Sequence, residues 1–212
     1  MPATGRRRRH VPGPKPGDQR RAELLSALEA LLEERALEEI GIAEITRAAG
    51  VTRSAFYFYF PSKAAAVAAL LADFYDEMID AASDWYEATD GSGFERLHGS
   101  FQASVGAWRG RAALMVAMLD AVGTDAEARE LWQDWIEAYV KRTASRIDED
   151  RAAGLARESV DSHMLATVLV GAAFHVMERD VRAIHAGKAP SELVVPALTD
   201  TWHRAIYKDT DR

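Results

Sequence analysis

Five aromatic side chains stand together in the segment GVTRSAFYFYFPSK, residues 50–63. The run from Phe56 to Phe60 holds five of the eighteen aromatic residues of the chain, and the first 63 residues contain no others. Two tyrosine hydroxyls lie in the run, flanked by the cations Arg53 and Lys63. Such donors bind phosphate oxygens, and an arginine can also bond guanine O6 and N7 together. The segment is a local feature that needs a local cause, and contact with DNA would supply one.

Charge is unevenly distributed along the 212 residues, whose net charge of −7 argues at first sight against a nucleic-acid partner. Residues 1–63 carry eleven Lys and Arg against eight Asp and Glu, a net of +3. Residues 64–212 carry fifteen against twenty-five, a net of −10. A basic head is thus joined to an acidic body, which supports DNA binding only together with a motif, because one such asymmetry can arise by chance.

Several protein classes are disfavoured by what the sequence lacks. It has no cysteine, hence no disulfide framework and no thiolate nucleophile, which fits a reducing cytoplasm. The N-terminal stretch lacks the apolar segment of a signal peptide. The longest apolar run, Met164 to Phe174, is too short to span a membrane. No HExxH, phosphate-binding loop, nucleophile elbow or dinucleotide fingerprint occurs, so we expect a cytoplasmic protein that is not an enzyme and needs neither metal nor cofactor.

The spacing of apolar residues predicts an all-α fold. In the head we expect one helix over about 18–35, a second short helix ending at Gly50, and a third capped by Thr52 and ending near Phe60. A flexible basic arm, residues 1–17, precedes them.

The aromatic run itself permits two interpretations. Phe and Tyr alternate with period two, as in an edge strand, but no second strand is evident to pair with it. The helical interpretation is favoured by the Gly turn and Thr cap before the run and by Pro61 after it. In that helix Phe56, Tyr59 and Phe60 point back to the first two helices. Arg53, Ser54, Tyr57 and Phe58 then lie toward the outside.

Long helical patterns continue through the rest of the chain. A helix is expected from Ser62 until Gly91, followed by helices over about 94–108, 111–122, 125–150, 160–186 and 192–207. Pro196 sits awkwardly in the last one, which can alternatively start only there. The predicted domains are residues 18–63 and residues 64–212.

Two helices joined by a tight glycine turn form a helix-turn-helix, whose second helix can lie in the DNA major groove. The stretch ITRAAGVTRSAFYFYFPSK, residues 45–63, resembles the TetR family of bacterial repressors, most closely the branch typified by the ethionamide-resistance repressor. The matching residues are Ala48, Ala49, Gly50, Val51, Thr52, Tyr57, Tyr59, Phe60, Ser62 and Lys63. Two positions depart from the family pattern: Thr46 stands where an Ala is common, and Ala55 where a phosphate-contacting Thr or Ser is common.

The resemblance implies an N-terminal three-helix DNA-binding domain whose contact residues here are Thr46, Arg47, Thr52, Arg53, Ser54, Tyr57, Phe58, Tyr59 and Lys63. In this interpretation Arg53 and Ser54 meet base edges, Phe58 meets a thymine methyl, and Lys63 shares a phosphate with the backbone of the following helix. Alternatively Phe58 and Tyr59 are core residues and Arg53 touches only phosphate. Arg6 to Arg9 form either a solvated tail, which we favour, or a minor-groove arm.

The resemblance also implies that the C-terminal domain binds a ligand and forms a homodimer on a palindromic operator. The cavity candidates, which suit a small apolar or aromatic effector, are Trp108, Met115, Trp132, Trp135, Tyr139, Phe174 and Trp202, with His175 as a possible polar anchor. The interface candidates are Leu165, Leu169, Ala172, Leu198, Ala205 and Ile206. The alternative function is a helical small-molecule-binding or interaction protein that does not bind DNA.

Overall fold

The computed structural model describes residues 16–81, 83–87 and 91–208, and throughout these residues the chain is helical or in short connections. The all-α prediction is confirmed. The helices are α1 (Pro16–Leu32), α2 (Ile42–Ala48), α3 (Arg53–Tyr59), α4 (Lys63–Ala81), α5 (Ser83–Glu87), α6 (Gly93–Gly110), α7 (Ala112–Thr124), α8 (Ala126–Ala152), α9 (Ser162–His185) and α10 (Val194–Ile206). A 3₁₀ turn, Leu37–Glu39, lies between α1 and α2.

Two of the expected helix boundaries differ clearly from the observed ones. The first helix ends at Leu32 rather than near residue 35, and the 3₁₀ turn that follows was not predicted. The single helix expected from Ser62 until Gly91 is wrong, because α4 ends at Ala81 and α5 is a separate helix. α5 buries Trp85, whose ring packs edge-on against Trp202 of α10 at 5.5 Å. Arg6 to Arg9 lie outside the described residues.

The turn between α2 and α3 is closed by a left-handed glycine. Gly50 has φ +66°, and its N–H donates to the Arg47 carbonyl at 3.2 Å, while Val51 N–H donates to the Thr46 carbonyl at 2.9 Å. These bonds satisfy carbonyls at the end of α2. Thr52 then takes an extended conformation, and its side-chain oxygen accepts the Ala55 N–H at 3.2 Å. The chain therefore forms a helix-turn-helix, and the edge-strand interpretation of the aromatic run is wrong.

The inner side of α3 is held by two phenylalanines. Phe56 is completely buried and Phe60, the residue after the helix, is 3% exposed. Their ring centroids lie 5.7 Å apart, and both belong to a buried cluster that includes Leu28 of α1 and Ile45 of α2. A seven-residue helix is not stable on its own, so this packing is what keeps α3 helical.

Pro196 proves compatible with a helix that begins before it. α10 starts at Val194, which places Pro196 at the third helical position. The N–H groups of the first turn have no partner within a helix, so the missing proline N–H costs no hydrogen bond there. The alternative start at Pro196 is therefore unnecessary.

The remaining features of the described fold concern its periphery. Ala156 and Tyr207 form an antiparallel bridge that joins the segment after α8 to the residue after α10. Within the described ranges no single helix is long and apolar enough to cross a membrane, although the bent pair Arg53–Tyr59 and Lys63–Ala72 together pass that test. The same ranges contain no group of His, Asp and Glu side chains placed to hold a metal ion.

The conformation of Gly50 generates a stability prediction. Gly50→Ala is expected to lower the free energy of unfolding by about 1 kcal/mol, because an L-residue at positive φ brings its Cβ close to the carbonyl oxygen. Gly106→Ala is the matched control, since Gly106 lies exposed within α6 with open space around it. Its free energy of unfolding should rise by about 0.5–1 kcal/mol. Urea unfolding of both variants checks the pair, and equal shifts of the same sign would contradict the prediction.

Candidate DNA-binding face and ligand cavity

The outer side of α3 carries polar and aromatic groups that the head does not bury. Arg53 and Ser54 are exposed, Tyr57 is 47% exposed and Phe58 is 81% exposed. Phe58 is therefore not a core residue, which removes one of the two interpretations of this side chain. Tyr59 is half-buried and lies at the edge of the face. We call the exposed residues Arg53, Ser54, Tyr57 and Phe58 the α3 face.

Arg53 and Tyr57 are neighbours one turn apart on the α3 face. The Arg53 Nη2 donates to the Tyr57 hydroxyl at 3.4 Å, and its guanidinium carbon lies 5.7 Å from the tyrosine ring centroid. Arg53 is the first residue of α3, so the cation lies at the end of the helix that can enter a groove. This contact orients both side chains on the outer surface. It uses one N–H of Arg53 and leaves the other guanidinium donors and the Tyr57 O–H available to a partner.

Three further predicted contact residues surround the face. Arg47 of α2 and Thr52 are exposed. The Thr52 oxygen accepts a backbone N–H, which leaves its own O–H proton available to a phosphate. The Tyr59 hydroxyl lies close to the start of α1. It is 3.6 Å from the position that a Cβ would take on Gly17.

Thr46 is located differently from the sequence expectation. It is 5% exposed, and its hydroxyl donates to the Ala43 carbonyl at 3.2 Å within α2. A side chain that is packed and hydrogen-bonded in its own helix does not belong to the outer surface. The prediction of a DNA contact by the Thr46 side chain is therefore corrected to a packing role.

Lys63 is also placed in a different role from the one expected. Its ammonium donates to the Leu37 carbonyl at 2.6 Å and to the Ile40 carbonyl at 2.7 Å. These carbonyls lie at the 3₁₀ turn before α2, so Lys63 ties the first turn of α4 to the connection between α1 and α2. The charge satisfies backbone acceptors in this conformation instead of reaching outward for a phosphate.

A cavity of about 50 Å³ lies in the C-terminal body. Helices α4, α5, α6, α8, α9 and α10 contribute to its lining. The described residues that line it are Met78, Trp85, Tyr86, Leu97, Ser100, Phe101, Ser104, Trp108, Tyr139, Val170, Ala173, Phe174, Met177 and Trp202. Drug-sized sites are roughly 300–1,000 Å³, so the cavity is closed to a molecule of that size in this conformation. It has room for a few waters or a small organic group.

Four of the seven cavity candidates from the sequence line this space, namely Trp108, Tyr139, Phe174 and Trp202. Met115, Trp132 and Trp135 are buried but do not line it. Trp132 packs behind Phe174, with ring centroids 5.6 Å apart. His175 is exposed on α9, so it is not a polar anchor of the cavity.

The phenylalanine Phe174 joins several walls of the cavity. Its ring lies 5.4 Å from Trp108 at 84° and 5.6 Å from Tyr139. Such edge-to-face contacts are favourable beyond the burial of the rings. Elsewhere in the lining, Phe101 and Trp202 make a similar contact at 5.1 Å. The cavity is therefore bounded mainly by interlocked aromatic rings.

A buried polar network supports one wall of the cavity. Trp85 Nε1–H donates to the Tyr207 hydroxyl at 2.9 Å, and that hydroxyl donates to Asp150 at 2.5 Å. Arg146 bonds the same carboxylate at 2.9 Å. Burial, together with the Asp150 charge, raises the pKa of Tyr207 to about 12, so the phenol stays protonated at neutral pH. The network fixes the orientation of Trp85 and anchors the end of α10 to α8.

Two phenols at the cavity are kept neutral by burial. Burial raises the pKa of Tyr86 to about 12, while its hydroxyl shares a hydrogen bond with Thr143 at 3.0 Å. Burial likewise raises the pKa of Tyr139 well above its ordinary value. Both groups therefore offer O–H donors rather than phenolate oxygens at neutral pH.

The predicted interface residues do not lie on one surface. Leu169, Leu198 and Ile206 are at most 4% exposed, since they pack into the core of their own chain. Leu165 and Ala205 are half-buried and Ala172 is exposed. The choice of the three buried residues as interface residues is therefore corrected to core packing.

The exposed surface of α9 and of the start of α10 includes several large apolar and several small side chains. Met164, Val168 and Leu193 are 58%, 61% and 74% exposed, unusually high for large apolar side chains. Around them lie further exposed residues with small or compact side chains, Gly171, Ala172, Pro196, Ala197 and Thr201. We call these eight residues the α9–α10 surface.

Family models match both parts of the chain. The model described as "Bacterial regulatory proteins, tetR family" matches residues 24–70, and "Transcriptional regulator EthR, C-terminal domain" matches residues 98–208. The HTH-type transcriptional regulator EthR of Mycobacterium tuberculosis is 32% identical over 199 residues, which cover 90% of this chain and 88% of the relative. EthR of Mycolicibacterium smegmatis is 29% identical with the same coverage.

Solved structures share the fold at lower sequence identity. SmeT, the repressor of the Stenotrophomonas maltophilia multidrug efflux pump SmeDEF, has a TM-score of 0.69 at 19% identity and covers 91% of this chain and 92% of its own. A SmeT–triclosan complex has a TM-score of 0.67 at 20% identity, covering 91% and 94%.

A helix-turn-helix with an exposed recognition face, joined to a helical body, is the architecture of a DNA-binding transcriptional regulator. The chain belongs to the TetR family of such regulators, and its C-terminal domain is of the EthR type. The relatives are transcriptional regulators and not enzymes.

The position of Lys63 generates a prediction that separates a structural role from a phosphate contact. Lys63→Met is expected to lower the free energy of unfolding by about 1–3 kcal/mol, because two carbonyls lose a charged donor. The dependence of DNA affinity on salt should keep its slope. Arg47→Ala, at an exposed position of α2, is the control for stability and should change it little. A salt slope reduced by about 1 in Lys63→Met would instead identify a phosphate contact.

Proposed function

We propose that the protein is a repressor that binds a palindromic operator as a homodimer and is released by a small apolar or aromatic ligand. The α3 face is the observation that carries this proposal. A large apolar ring such as Phe58 gains nothing from being 81% exposed in an isolated head. The same face carries the cation Arg53 and the phenol Tyr57. Such a surface suits a groove that offers phosphates, base edges and methyl groups.

Each group on the face has a distinct task in this proposal. Arg53, at the start of α3, donates to guanine O6 and N7, and Ser54 reaches a neighbouring base edge. Phe58 packs on a thymine methyl. Tyr57 and Thr52 donate to phosphates and fix the position of the helix without reading sequence. Tyr59, with its hydroxyl at the start of α1, contacts the backbone at the rim of the groove.

The α9–α10 surface is the proposed dimer interface. A second copy of the chain covers Met164, Val168 and Leu193, and the small residues between them allow helices of the two copies to approach closely. A dimer is also required by the head, because one seven-residue helix contacts too few base pairs for specificity. Two heads about 34 Å apart read two half-sites of a palindrome.

Contacts between head and body offer a route for ligand control. Ser62, at the start of α4, donates to Asp125 at 3.0 Å, the residue that caps α8. Arg111, between α6 and α7, bonds Glu29 of α1 at 3.2 Å, and its guanidinium carbon lies 4.9 Å from the Phe74 ring centroid on α4. One turn beyond Phe74, α4 lines the cavity, so a ligand that moves this wall acts on the same helix that carries the head.

The difference in ligand affinity between the two conformations determines how completely the ligand releases the heads from DNA. To move the heads from almost wholly binding-competent to almost wholly released, the ligand must prefer the released state by roughly 5.5 kcal/mol. A cavity that opens on binding can supply such a preference, since the ligand then binds one conformation and is excluded from the other.

Selection of bound sequences from a random DNA pool, followed by affinity measurements across a salt series, tests the proposal. We expect an enriched palindrome and a steep salt dependence, because arginine side chains displace counterions from phosphates. Arg53→Ala combined with Tyr57→Ala should reduce affinity for that sequence at least about 30-fold, from a lost base contact and a lost phosphate contact of about 1–3 kcal/mol each. Arg129→Ala, which removes an exposed charge from α8, is the matched control and should leave affinity within about twofold.

Failure of this test has a defined meaning. If no sequence is enriched, or if the double variant binds as tightly as the parent, the head does not read DNA through the α3 face. The acidic body with its cavity would then be the functional part, as a helical small-molecule-binding or interaction protein.

The proposed interface is tested by charge insertion. Val168→Arg should convert the dimer to a monomer, because it places a cation at the centre of the apolar α9–α10 surface on both copies. Gln133→Arg, at an exposed position of α8, introduces the same group elsewhere and should leave the dimer intact. Analytical ultracentrifugation measures both. A dimeric Val168→Arg protein of unchanged affinity would assign dimerisation to another surface.

A further inference from the structure

Three tryptophans line the cavity, and their indole N–H groups are not equivalent. Trp85 Nε1–H donates to Tyr207. The Nε1 atoms of Trp108 and Trp202 are buried and have no hydrogen-bond partner in the described part of the protein. These side chains are 1% and 4% exposed, respectively, so the surrounding solvent does not satisfy the two donors.

Unpaired donors of this kind are uncommon and unfavourable. Roughly nine in ten or more of the buried polar groups in proteins have a partner, because a donor that has lost its water and found no acceptor is costly. Two of them at one cavity therefore call for a common cause. A ligand in the cavity that accepts from both indoles would give the two donors a partner.

The other lining groups restrict the chemistry of that ligand. Among the side chains that the structure describes, none that lines the cavity is charged. A carboxylate ligand would lack a cation there and an ammonium ligand would lack an anion, and an unpaired charge is strongly disfavoured in such surroundings. Tyr139 remains protonated because burial raises its pKa, so it adds a further O–H donor. Ser100 and Ser104 supply the hydroxyl groups on α6.

We propose that the cavity binds a neutral, mainly apolar molecule whose carbonyl, ester or sulfonyl oxygen accepts hydrogen bonds from the indole N–H groups of Trp108 and Trp202. This inference rests on the proposed function, since it names the chemical class of the effector. The aromatic walls bind the apolar part, and the two indoles select for the acceptor. Trp85 takes no part in that selection because Tyr207 already occupies its N–H.

A matched pair of small probes tests the acceptor. Cyclopentanone and methylenecyclopentane have nearly the same shape and differ in C=O against C=CH₂. In the full-length protein labelled with ¹⁵N, the ketone is expected to move the indole N–H proton resonances of Trp108 and Trp202 downfield and to leave that of Trp85 in place. The hydrocarbon should cause no such downfield shift. Trp→Phe variants assign the five indole signals.

The affinity ratio of the two probes gives a second measure. The ketone should bind about 3–10-fold more tightly than the hydrocarbon, the net value of a hydrogen bond after the ketone has lost its water. Trp108→Phe with Trp202→Phe should bring the ratio to about one, since phenylalanine keeps an aromatic wall and removes the donor. Trp135→Phe, away from the cavity lining, is the control and should keep the ratio.

The proposal is overturned if the ketone shifts neither indole resonance, as when no probe binds or when tightly held water already occupies the donors. Equal affinities for ketone and hydrocarbon in the parent protein overturn it as well. Because these measurements are made without DNA, they are independent of operator selection. A protein that selects a palindrome yet shows no ketone preference retains the proposed function and loses only this assignment of its ligand.

Discussion

The burial of Phe56 and Phe60 is the interaction on which the DNA-reading part of the molecule depends. Nucleation of a helix is unfavourable, and a helix of seven residues forms too few hydrogen bonds of its own to offset it. Its stability comes from the two rings beneath it, together with the Thr52 cap and the Gly50 turn before it. The same packing decides which side chains turn outward, so the run of five aromatics is divided between a structural side and an exposed side by one helical period.

The helix that follows transmits this arrangement to the rest of the chain. Lys63 holds the first turn of α4 against the carbonyls before α2, and Arg111 contacts α1 and α4 together. Near its other end α4 contributes Met78 to the cavity wall. The head is therefore bound to a helix whose far part senses the packing of the body. In the proposed ligand response, a shift along or around α4 would change the direction of the recognition helix without any change within the head.

Much of this architecture could be predicted from residue spacing, and the errors have physical causes. The long helices and the helix-turn-helix follow from periodicity and from the Gly–Val–Thr turn. The two carbonyl contacts of Lys63 could not be predicted from the sequence, because the acceptors are backbone groups 26 and 23 positions away. Leu169 and Leu198 were assigned to the wrong surface because α9 and α10 are apolar on more than one side. The periodicity of apolar residues predicts which side chains are buried. It does not distinguish burial in the core of one chain from burial against a second copy.

The cavity was predicted only in part for a related reason. Large aromatic residues mark the body as a whole, yet Met115 and Trp132 pack beside the space and Tyr86 and Phe101 border it. Which rings border an empty volume depends on how six helices cross, and no local pattern contains that information.

Under the ligand control proposed above, the small size of the cavity has a consequence for the sensitivity of the regulator. A chamber of about 50 Å³ must widen before most organic molecules can enter, and the free energy of widening is subtracted from the affinity of every one of them. Traces of weakly bound hydrophobic metabolites are then ignored, and only a compound that is abundant or exceptionally well matched crosses the threshold. If the proposed ligand control operates, closed packing sets a threshold for the response, and mutations that enlarge the chamber would make the regulator both more sensitive and more promiscuous.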